Sequence, residues 1–213
     1  MKNVLAFGDS LTWGADAVTG GRHPFKDRWP NVLATELGGQ ARLFAEGLNG
    51  RTTIFDDYSI PTERNGSKAL PMLLATHEPL DLVIIFLGTN DMRSHICGNA
   101  AGSAMGIARL INIVKTFSYK PGHHVPKILV VSPPYVGTGA DQLFNDVMAG
   151  AGDLSKEYAA NYAQICEREQ VALFDAASVA RIDPADGVHL DIANTRAIGV
   201  GLAPIVRELL SIQ

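Results

Sequence analysis

Two short segments at opposite ends of the chain carry residue types that together could perform nucleophilic catalysis. Ser10 follows Gly8 and Asp9, and Asp186 precedes His189 by three positions. A serine hydroxyl is a weak nucleophile unless an imidazole accepts its proton, and the imidazole needs a carboxylate that fixes its tautomer. Asp186 and His189 can meet that need from one turn of the chain. We therefore predict that Ser10 is a nucleophile, His189 its base and Asp186 the partner of His189.

Two other segments could stabilise the negative charge that develops on a carbonyl oxygen during such an attack. Gly50 offers a backbone N–H with no side chain in front of it, and Asn90 offers a side-chain amide. Ser10 supplies a third donor, because it lies at the expected start of a helix, where backbone N–H groups are free and the helix dipole is positive. Three donors on one oxygen form an oxyanion hole. The expected oxyanion hole therefore consists of Ser10, Gly50 and Asn90.

Residues next to these groups in the sequence are candidates for the walls of a substrate pocket. We assign four residues to that pocket: Asp9, Leu11, Trp13 and Asn49. Asp9 could instead brace its loop with hydrogen bonds, and Trp13 could simply pack at the start of a helix. The Gly-rich stretches 15–26 and 135–152 have little periodicity and are expected to be loops. Such loops would either carry specificity or contact other subunits.

Continuous apolar runs place these segments on a sheet. Runs without alternation indicate strands that are buried on both faces, as in parallel sheets. The predicted strands are 4–7, 41–45, 82–87, 128–131 and 171–174, and the predicted helices are 28–37, 70–76, 104–117, 154–169 and 192–212. This alternation predicts an α/β fold, a three-layer α/β/α sandwich with a central parallel sheet. The ligand site of such a fold lies beyond the carboxyl ends of the strands, where the polar segments described above follow the runs.

Length and composition limit the classes of protein to which the chain can belong. The 213 residues are 46% hydrophobic and 19% charged, with a formal net charge of −4. This is enough for one sizeable core, and no linker composition interrupts it, so residues 1–213 are expected to form a single domain. No Lys/Arg cluster suits a nucleic acid or an anionic membrane. No apolar run approaches the roughly 20 residues that span a bilayer, and none has the form of a signal peptide, so we expect a cytoplasmic protein.

Neither a metal nor a cofactor is expected from the spacing of the histidines and cysteines. Cys97 and Cys166 lie far apart in the sequence and lack CxxC spacing. The other histidines have no companion carboxylates at the spacing of helical metal ligands, so we expect them at the surface: His23, His77, His95, His123 and His124.

The four polar segments together resemble the conserved blocks of the SGNH/GDSL hydrolase superfamily. The matching residues are Gly8-Asp9-Ser10-Leu11, Gly47 with Asn49-Gly50, Gly88-Thr89-Asn90-Asp91 and Asp186-Gly187-Val188-His189. The resemblance implies the flavodoxin-like SGNH fold, the same catalytic and oxyanion residues, a small-molecule ester substrate and no cofactor. The chain is most similar to the bacterial arylesterase/acyltransferase branch, which hydrolyses short acyl esters and in some members transfers the acyl group to alcohols. One member of that branch is an octamer, so a homo-oligomer is also implied.

Two alternative functions remain open at this point. Other similar members of the superfamily are carbohydrate O-deacetylases, which would use the same residues on a different ester. A non-catalytic flavodoxin-like binding module would instead use the strand-end loops to hold a phosphate or a carboxylate. Neither a GxGxxG nor a Walker pattern supports the binding module.

Overall fold

A single parallel sheet organises the chain, of which the computed structural model describes all 213 residues. Its strands are β1 (Lys2–Gly8), β2 (Ala41–Gly47), β3 (Leu82–Phe86), β4 (Lys127–Ser132) and β5 (Ala172–Asp175). All neighbouring strands are parallel, and their order across the sheet is β2-β1-β3-β4-β5. Each strand overlaps one of the predicted apolar runs, and the prediction of a central parallel sheet is confirmed.

Helices cover both faces of this sheet and complete the predicted three layers. They are α1 (Ser10–Trp13), α2 (Trp29–Glu36), α3 (Gly66–His77), α4 (Ala100–Thr116), α5 (Gln142–Val147), α6 (Ala151–Glu169) and α7 (Ile192–Leu210). Helices α2 and α7 pack together on one face, and α3, α4 and α6 pack on the other. None of the helices has the length and apolar character needed to cross a bilayer.

Alternate residues of the central strands enter two different hydrophobic clusters. In β1, Leu5 and Phe7 pack with α3, α4 and α6, whereas Val4 and Ala6 pack with α2 and α7. Successive side chains of a strand point to opposite faces of the sheet, so a strand covered on both faces must be apolar at every position. This is why the strands could be recognised as continuous apolar runs.

Two helices begin four residues earlier than their apolar periodicity indicated. Helices α3 and α4 were predicted to start at positions 70 and 104, but they start at Gly66 and Ala100. The Asn65 side chain accepts a hydrogen bond from the N–H of Ser67, and the Asn99 side chain accepts one from the N–H of Gly102. An asparagine cap satisfies backbone N–H groups that have no partner within the helix, so the first turn forms without large apolar residues.

The prediction that 135–152 is only a loop was wrong. Helix α5 lies within it, and α6 begins at its end. The Asp141 side chain accepts hydrogen bonds from the N–H groups of Leu143 and Phe144, which caps α5. The apolar residues of α5 (Leu143, Phe144 and Val147) are at most partly buried, and six residues are too few for a helical period to be recognised in the sequence.

The carboxyl ends of all five strands lie at the same edge of the sheet. Ser10 lies two residues after the last residue of β1, and Asn90 belongs to the 3₁₀ helix Thr89–Met92, which follows β3. Strands β1 and β3 are neighbours at the point where the strand order reverses, which is where open α/β sheets form a crevice for ligands. The fold therefore places the segments after β1 and β3 side by side.

Candidate active site

Ser10, His189 and Asp186 form one chain of hydrogen bonds. Ser10 Oγ lies 2.9 Å from His189 Nε2, and His189 Nδ1 lies 2.6 Å from Asp186 Oδ2. Ser10 and His189 are 179 positions apart in the sequence. The fold thus brings together the three side chains that were predicted to act as nucleophile, base and orienting acid.

The Asp186 carboxylate is held in place by the backbone of its own turn. Its Oδ1 accepts hydrogen bonds from the N–H groups of Val188 and His189, at 2.9 Å and 2.8 Å. Burial raises the pKa of Asp186, but the hydrogen bonds from the His189 ring and from these N–H groups outweigh burial and keep the pKa below its usual value. An ionised Asp186 favours a proton on His189 Nδ1, which leaves Nε2 free to accept the proton of Ser10.

Asp9 braces the turn that presents Ser10. It is fully buried, it caps the one-turn helix α1, and its Oδ1 accepts a hydrogen bond from the N–H of Leu11 at 2.9 Å. Burial raises the pKa of Asp9 to about 6, against the hydrogen bond from Leu11 and the positive charge of Arg51. Of the two roles considered from the sequence, the structure shows the bracing hydrogen bond, and Asp9 does not line the cavity at Ser10.

Two of the residues assigned to the pocket lie elsewhere. Leu11 is 2% exposed and packs in the hydrophobic cluster with α2 and α7. Trp13 is half-buried, and the Arg22 guanidinium lies over its ring, 4.8 Å from the centroid. Neither side chain lines the cavity, because one turn of helix directs Ser10 toward the cavity and Leu11 toward the core.

Gly50 and Asn90 lie on the wall of the same cavity as Ser10. Gly50 has a φ of +80°, a backbone conformation that favours glycine, and a Cβ atom there would lie 2.5 Å from Cζ of Arg64, so a larger residue would have to displace that guanidinium group. The Gly50 N–H has no acceptor within the chain. One N–H of the Asn90 side chain donates to the carbonyl of Arg51 at 3.1 Å, and the amide retains a second hydrogen. Donors thus remain available at both positions.

The cavity that contains these groups is small, and most of the residues that line it have polar side chains. Its volume is about 230 Å³, and only three of its 13 lining residues are hydrophobic. Asn49, which was predicted to line the pocket, does so. The loop 15–26 contributes Ala15, Asp16 and Gly20, and α5 contributes Phe144. Both stretches that were expected to lie beside the site therefore reach it.

Three residues near the site were missed or misplaced by the sequence analysis. Arg64 and Arg93 line the cavity, and the sequence analysis assigned neither of them to it. The one signal in the sequence that could have indicated Arg93 is its position three residues after Asn90. His23 was expected at the surface, but it is 3% exposed, and its Nε2 lies 2.8 Å from the carbonyl oxygen of Leu190. A buried imidazole of this kind needs a hydrogen-bond partner, and here the segment after His189 supplies it.

Asp91 joins the loop after β2 to the segment after β3. It is fully buried, and it accepts hydrogen bonds from the N–H and hydroxyl of Thr53 and from the hydroxyl of Ser103. Burial raises the pKa of Asp91 to about 6, although these three hydrogen bonds oppose the shift. Because Gly50 and Asn90 lie on the two segments that Asp91 joins, this contact fixes their separation.

We expect the raised pKa of Asp91 to make folding stability depend on pH. A carboxyl group with a pKa of 3.8 when unfolded and about 6 when folded contributes most stability when both states are protonated, and that contribution is lost as pH rises from 3.8 through about 6. The loss corresponds to about 3 kcal/mol in the free energy of unfolding. Urea unfolding of wild type and Asp91→Asn across this range should show a steeper decline in the wild type.

The matched control for this measurement is Asp153→Asn, because the Asp153 side chain is 95% exposed. That variant should follow the pH dependence of the wild type. Equal slopes for the wild type and Asp91→Asn would contradict the assignment of the raised pKa to Asp91.

Comparisons with known proteins place the sequence and the fold beside those of esterases. The model of the GDSL-like Lipase/Acylhydrolase family matches residues 6–193. A carbohydrate acetylesterase family member from Sinorhizobium meliloti is 47% identical, with a TM-score of 0.97 and 100% of both chains covered. The aryl esterase of M. smegmatis is 41% identical, with a TM-score of 0.93 over 99% of this chain and 100% of that chain.

Another carbohydrate acetylesterase from Sinorhizobium meliloti is 37% identical, with a TM-score of 0.94 over 98% of this chain and 100% of that chain. No curated protein matches the chain. The family model spans all four polar blocks, from Gly8 to His189, and ends at the start of α7. The resemblance inferred from those blocks is confirmed: the chain belongs to the GDSL-like lipase/acylhydrolase family and is a carboxylic ester hydrolase.

Proposed function

We propose that the chain hydrolyses short-chain acyl esters through an acyl intermediate on Ser10. The observation that carries this proposal is the chain of hydrogen bonds from Asp186 through His189 to Ser10, on the wall of a cavity that also holds Gly50 and Asn90. A non-catalytic binding module would have no need for a serine hydroxyl bonded to an imidazole that a carboxylate orients. The arrangement suits acyl transfer to a serine.

In the first half of the reaction, Ser10 Oγ attacks the carbonyl carbon of the ester while His189 Nε2 accepts the hydroxyl proton. The charge on the carbonyl oxygen is stabilised by the N–H groups of Ser10 and Gly50 and by the Asn90 amide. As the intermediate collapses, His189 returns the proton to the leaving oxygen, the bond from carbon to that oxygen breaks, and the alcohol departs. Ser10 is then acylated.

In the second half, water attacks the acyl-serine ester and gives its proton to His189. Collapse of the second intermediate releases the acid, and the proton returns to Ser10 Oγ. An alcohol in place of water would give a new ester, which is the acyl transfer that the resemblance implies. No step requires a cofactor, because the proton and the acyl group pass only through Ser10 and His189.

The size and polarity of the cavity favour a short acyl group. A volume of about 230 Å³ with three hydrophobic lining residues offers little apolar surface for a long chain. The names of the similar structures, aryl esterase and carbohydrate acetylesterase, are consistent with acetyl esters. An acetylated carbohydrate is the second candidate substrate, favoured by the polar side chains of Asp16 and Asn49 at the cavity, which can bind hydroxyl groups.

Hydrolysis of p-nitrophenyl esters from acetate to octanoate tests the proposal. We expect kcat/KM to be highest for acetate and to fall as the acyl chain outgrows the cavity, because the lining offers the longer chains few apolar contacts. An acetylated monosaccharide assayed in parallel tests the carbohydrate candidate. Activity that EDTA abolishes and that Ser10→Ala leaves intact would contradict the proposed mechanism.

We further propose that the chain acts as one domain, in the cytoplasm and as a homo-oligomer. Large apolar side chains are exposed on the two stretches beside the cavity, including Phe25 at 68% and Leu143 at 74%. Apolar side chains of this size suit contacts between subunits. Light scattering of the purified protein measures the number of subunits, and a monomer would contradict the oligomer.

A further inference from the structure

Two arginines form one wall of the cavity that contains Ser10. Arg64 precedes α3, and Arg93 follows the 3₁₀ helix Thr89–Met92 directly. Their side chains are only 15% and 16% exposed, yet both line the cavity. We call this pair the arginine wall. It lies beside the predicted oxyanion donors, since Arg64 packs against Gly50.

The two guanidinium groups of the arginine wall share one carboxylate oxygen. Arg64 Nη1 donates to Asp57 Oδ2 at 2.7 Å, whereas Arg93 Nη1 lies 3.5 Å from the same oxygen. Asp57 is ionised, because hydrogen bonds from Ser59 and Arg64 outweigh the effect of burial and lower its pKa to about 2. One carboxylate oxygen cannot fully satisfy two guanidinium groups, which carry five N–H donors each.

Other acidic groups do not complete the pairing. The neighbouring Asp56 carboxylate lies 2.7 Å from Lys68 Nζ. Asp9 acts on Arg93 and Arg51 through its charge, but no hydrogen bond joins it to Arg93: its Oδ1 accepts from Leu11, and its Oδ2 is buried without a partner. The arginine wall therefore keeps donors that no carboxylate of the chain accepts.

Arg93 is the member of the arginine wall whose position packing does not explain. Its side chain donates no hydrogen bond within the chain, and its Nε is buried without a partner, as is the Nε of Arg64. Burial without a hydrogen bond costs free energy, and burial lowers the pKa of the Arg93 guanidinium from its usual value. Arg64 has a structural role as the hydrogen-bond partner of Asp57, whereas Arg93 approaches the same oxygen only to 3.5 Å.

We infer that the arginine wall binds a carboxylate carried by the ester substrate, with Arg93 as the principal donor. A guanidinium group presents parallel N–H donors that match the two oxygens of a carboxylate. Because these two side chains are only 15% and 16% exposed, such a contact is less weakened by water than one at the surface. The inference rests on the proposed esterase function, and it narrows the substrate class from neutral short esters to esters that carry an acidic group.

Two pairs of substrates separate the two places where that carboxylate could lie. Monomethyl succinate and methyl succinamate differ by a carboxylate or an amide on the acyl part. 4-Acetoxybenzoate and 4-acetoxybenzamide differ in the same way on the leaving alcohol. We expect the wild type to prefer the carboxylate in at least one pair, and the pair that responds identifies which part of the substrate reaches the arginine wall.

Arg93→Gln should remove that preference. We expect kcat/KM for the responding carboxylate substrate to fall roughly 10- to 100-fold, as for loss of a charge-assisted hydrogen bond, while kcat/KM for its amide partner stays near the wild-type value. Arg93→Lys keeps the charge but not the planar fork, and should retain part of the preference. The hydrogen bond from Arg64 to Asp57 is retained in both Arg93 variants, and thermal melting checks that the two variants are folded.

Arg42→Gln is the matched control. Arg42 is exposed near the start of β2, at the opposite edge of the sheet from Ser10, so its loss should leave the preference unchanged. If the wild type hydrolyses the neutral esters without preferring either carboxylate, or if Arg93→Gln lowers both members of a pair equally, the inference is wrong and the esterase function stands. If the wild type hydrolyses neither these esters nor p-nitrophenyl acetate, the proposed function fails, and the inference fails with it.

Discussion

Ser10→Ala is expected to lower kcat for p-nitrophenyl acetate by roughly 10⁴-fold or more, because covalent catalysis is lost with the Oγ atom. The single hydrogen bond of that atom joins it to His189, so its removal leaves the bracing contact of Asp9 with Leu11 in place. The variant should therefore fold normally and retain only the catalysis that binding and the oxyanion donors provide. Steady-state kinetics and circular dichroism measure the two properties separately.

Intact-protein mass after treatment with a fluorophosphonate tests the same side chain without assuming a substrate. The wild type should gain one adduct, and Ser10→Ala should gain none, since only a serine activated by a base reacts with this reagent. Ser178→Ala is a matched control, because the exposed Ser178 hydroxyl bonds only to the carbonyl of Asp175. An adduct on Ser10→Ala, or activity within tenfold of the wild type, would assign the nucleophile to another residue.

The sheet was predictable from the sequence because its physical cause is local. A strand that packs on both faces must be apolar at every position, and Val4 to Phe7 and Leu82 to Phe86 display that requirement directly. The starts of α3 and α4 were not found, because single side chains, Asn65 and Asn99, satisfy the first backbone N–H groups there. A single capping residue before a turn of small and polar residues adds nothing to the apolar periodicity by which a helix is recognised in a sequence.

The catalytic candidates could be found in the sequence for a different reason. Chemistry requires particular residue types at Ser10, Asp186 and His189, whatever their neighbours are, and the strand ends predict that distant segments meet. The walls of the cavity carry no such requirement. Leu11 adjoins Ser10 and nonetheless packs in the core, whereas Arg93 reaches the cavity only because the 3₁₀ helix before it ends at that position.

Asp186→Asn is expected to lower kcat by about 10⁴-fold, even though asparagine and aspartate have nearly the same size and shape. Oδ1 of Asp186 accepts hydrogen bonds from the backbone N–H groups of Val188 and His189, and an asparagine side-chain oxygen can accept the same two hydrogen bonds. The asparagine NH₂ group would then face His189 Nδ1 and donate to it. That contact favours the tautomer with its proton on Nε2, which cannot accept the proton of Ser10.

The pattern of losses across variants distinguishes this account from general damage to the site. Asn90→Ala would remove one of three oxyanion donors and should cost only about 10² to 10³-fold in kcat, less than Asp186→Asn. The double variant Ser10→Ala/Asp186→Asn should be no slower than Ser10→Ala, because residues that act as a unit are not additive. Equal, small losses in all three single variants would place the chemistry elsewhere. Additive losses in the double variant would mean that Asp186 stabilises the fold and does not act through His189 on Ser10.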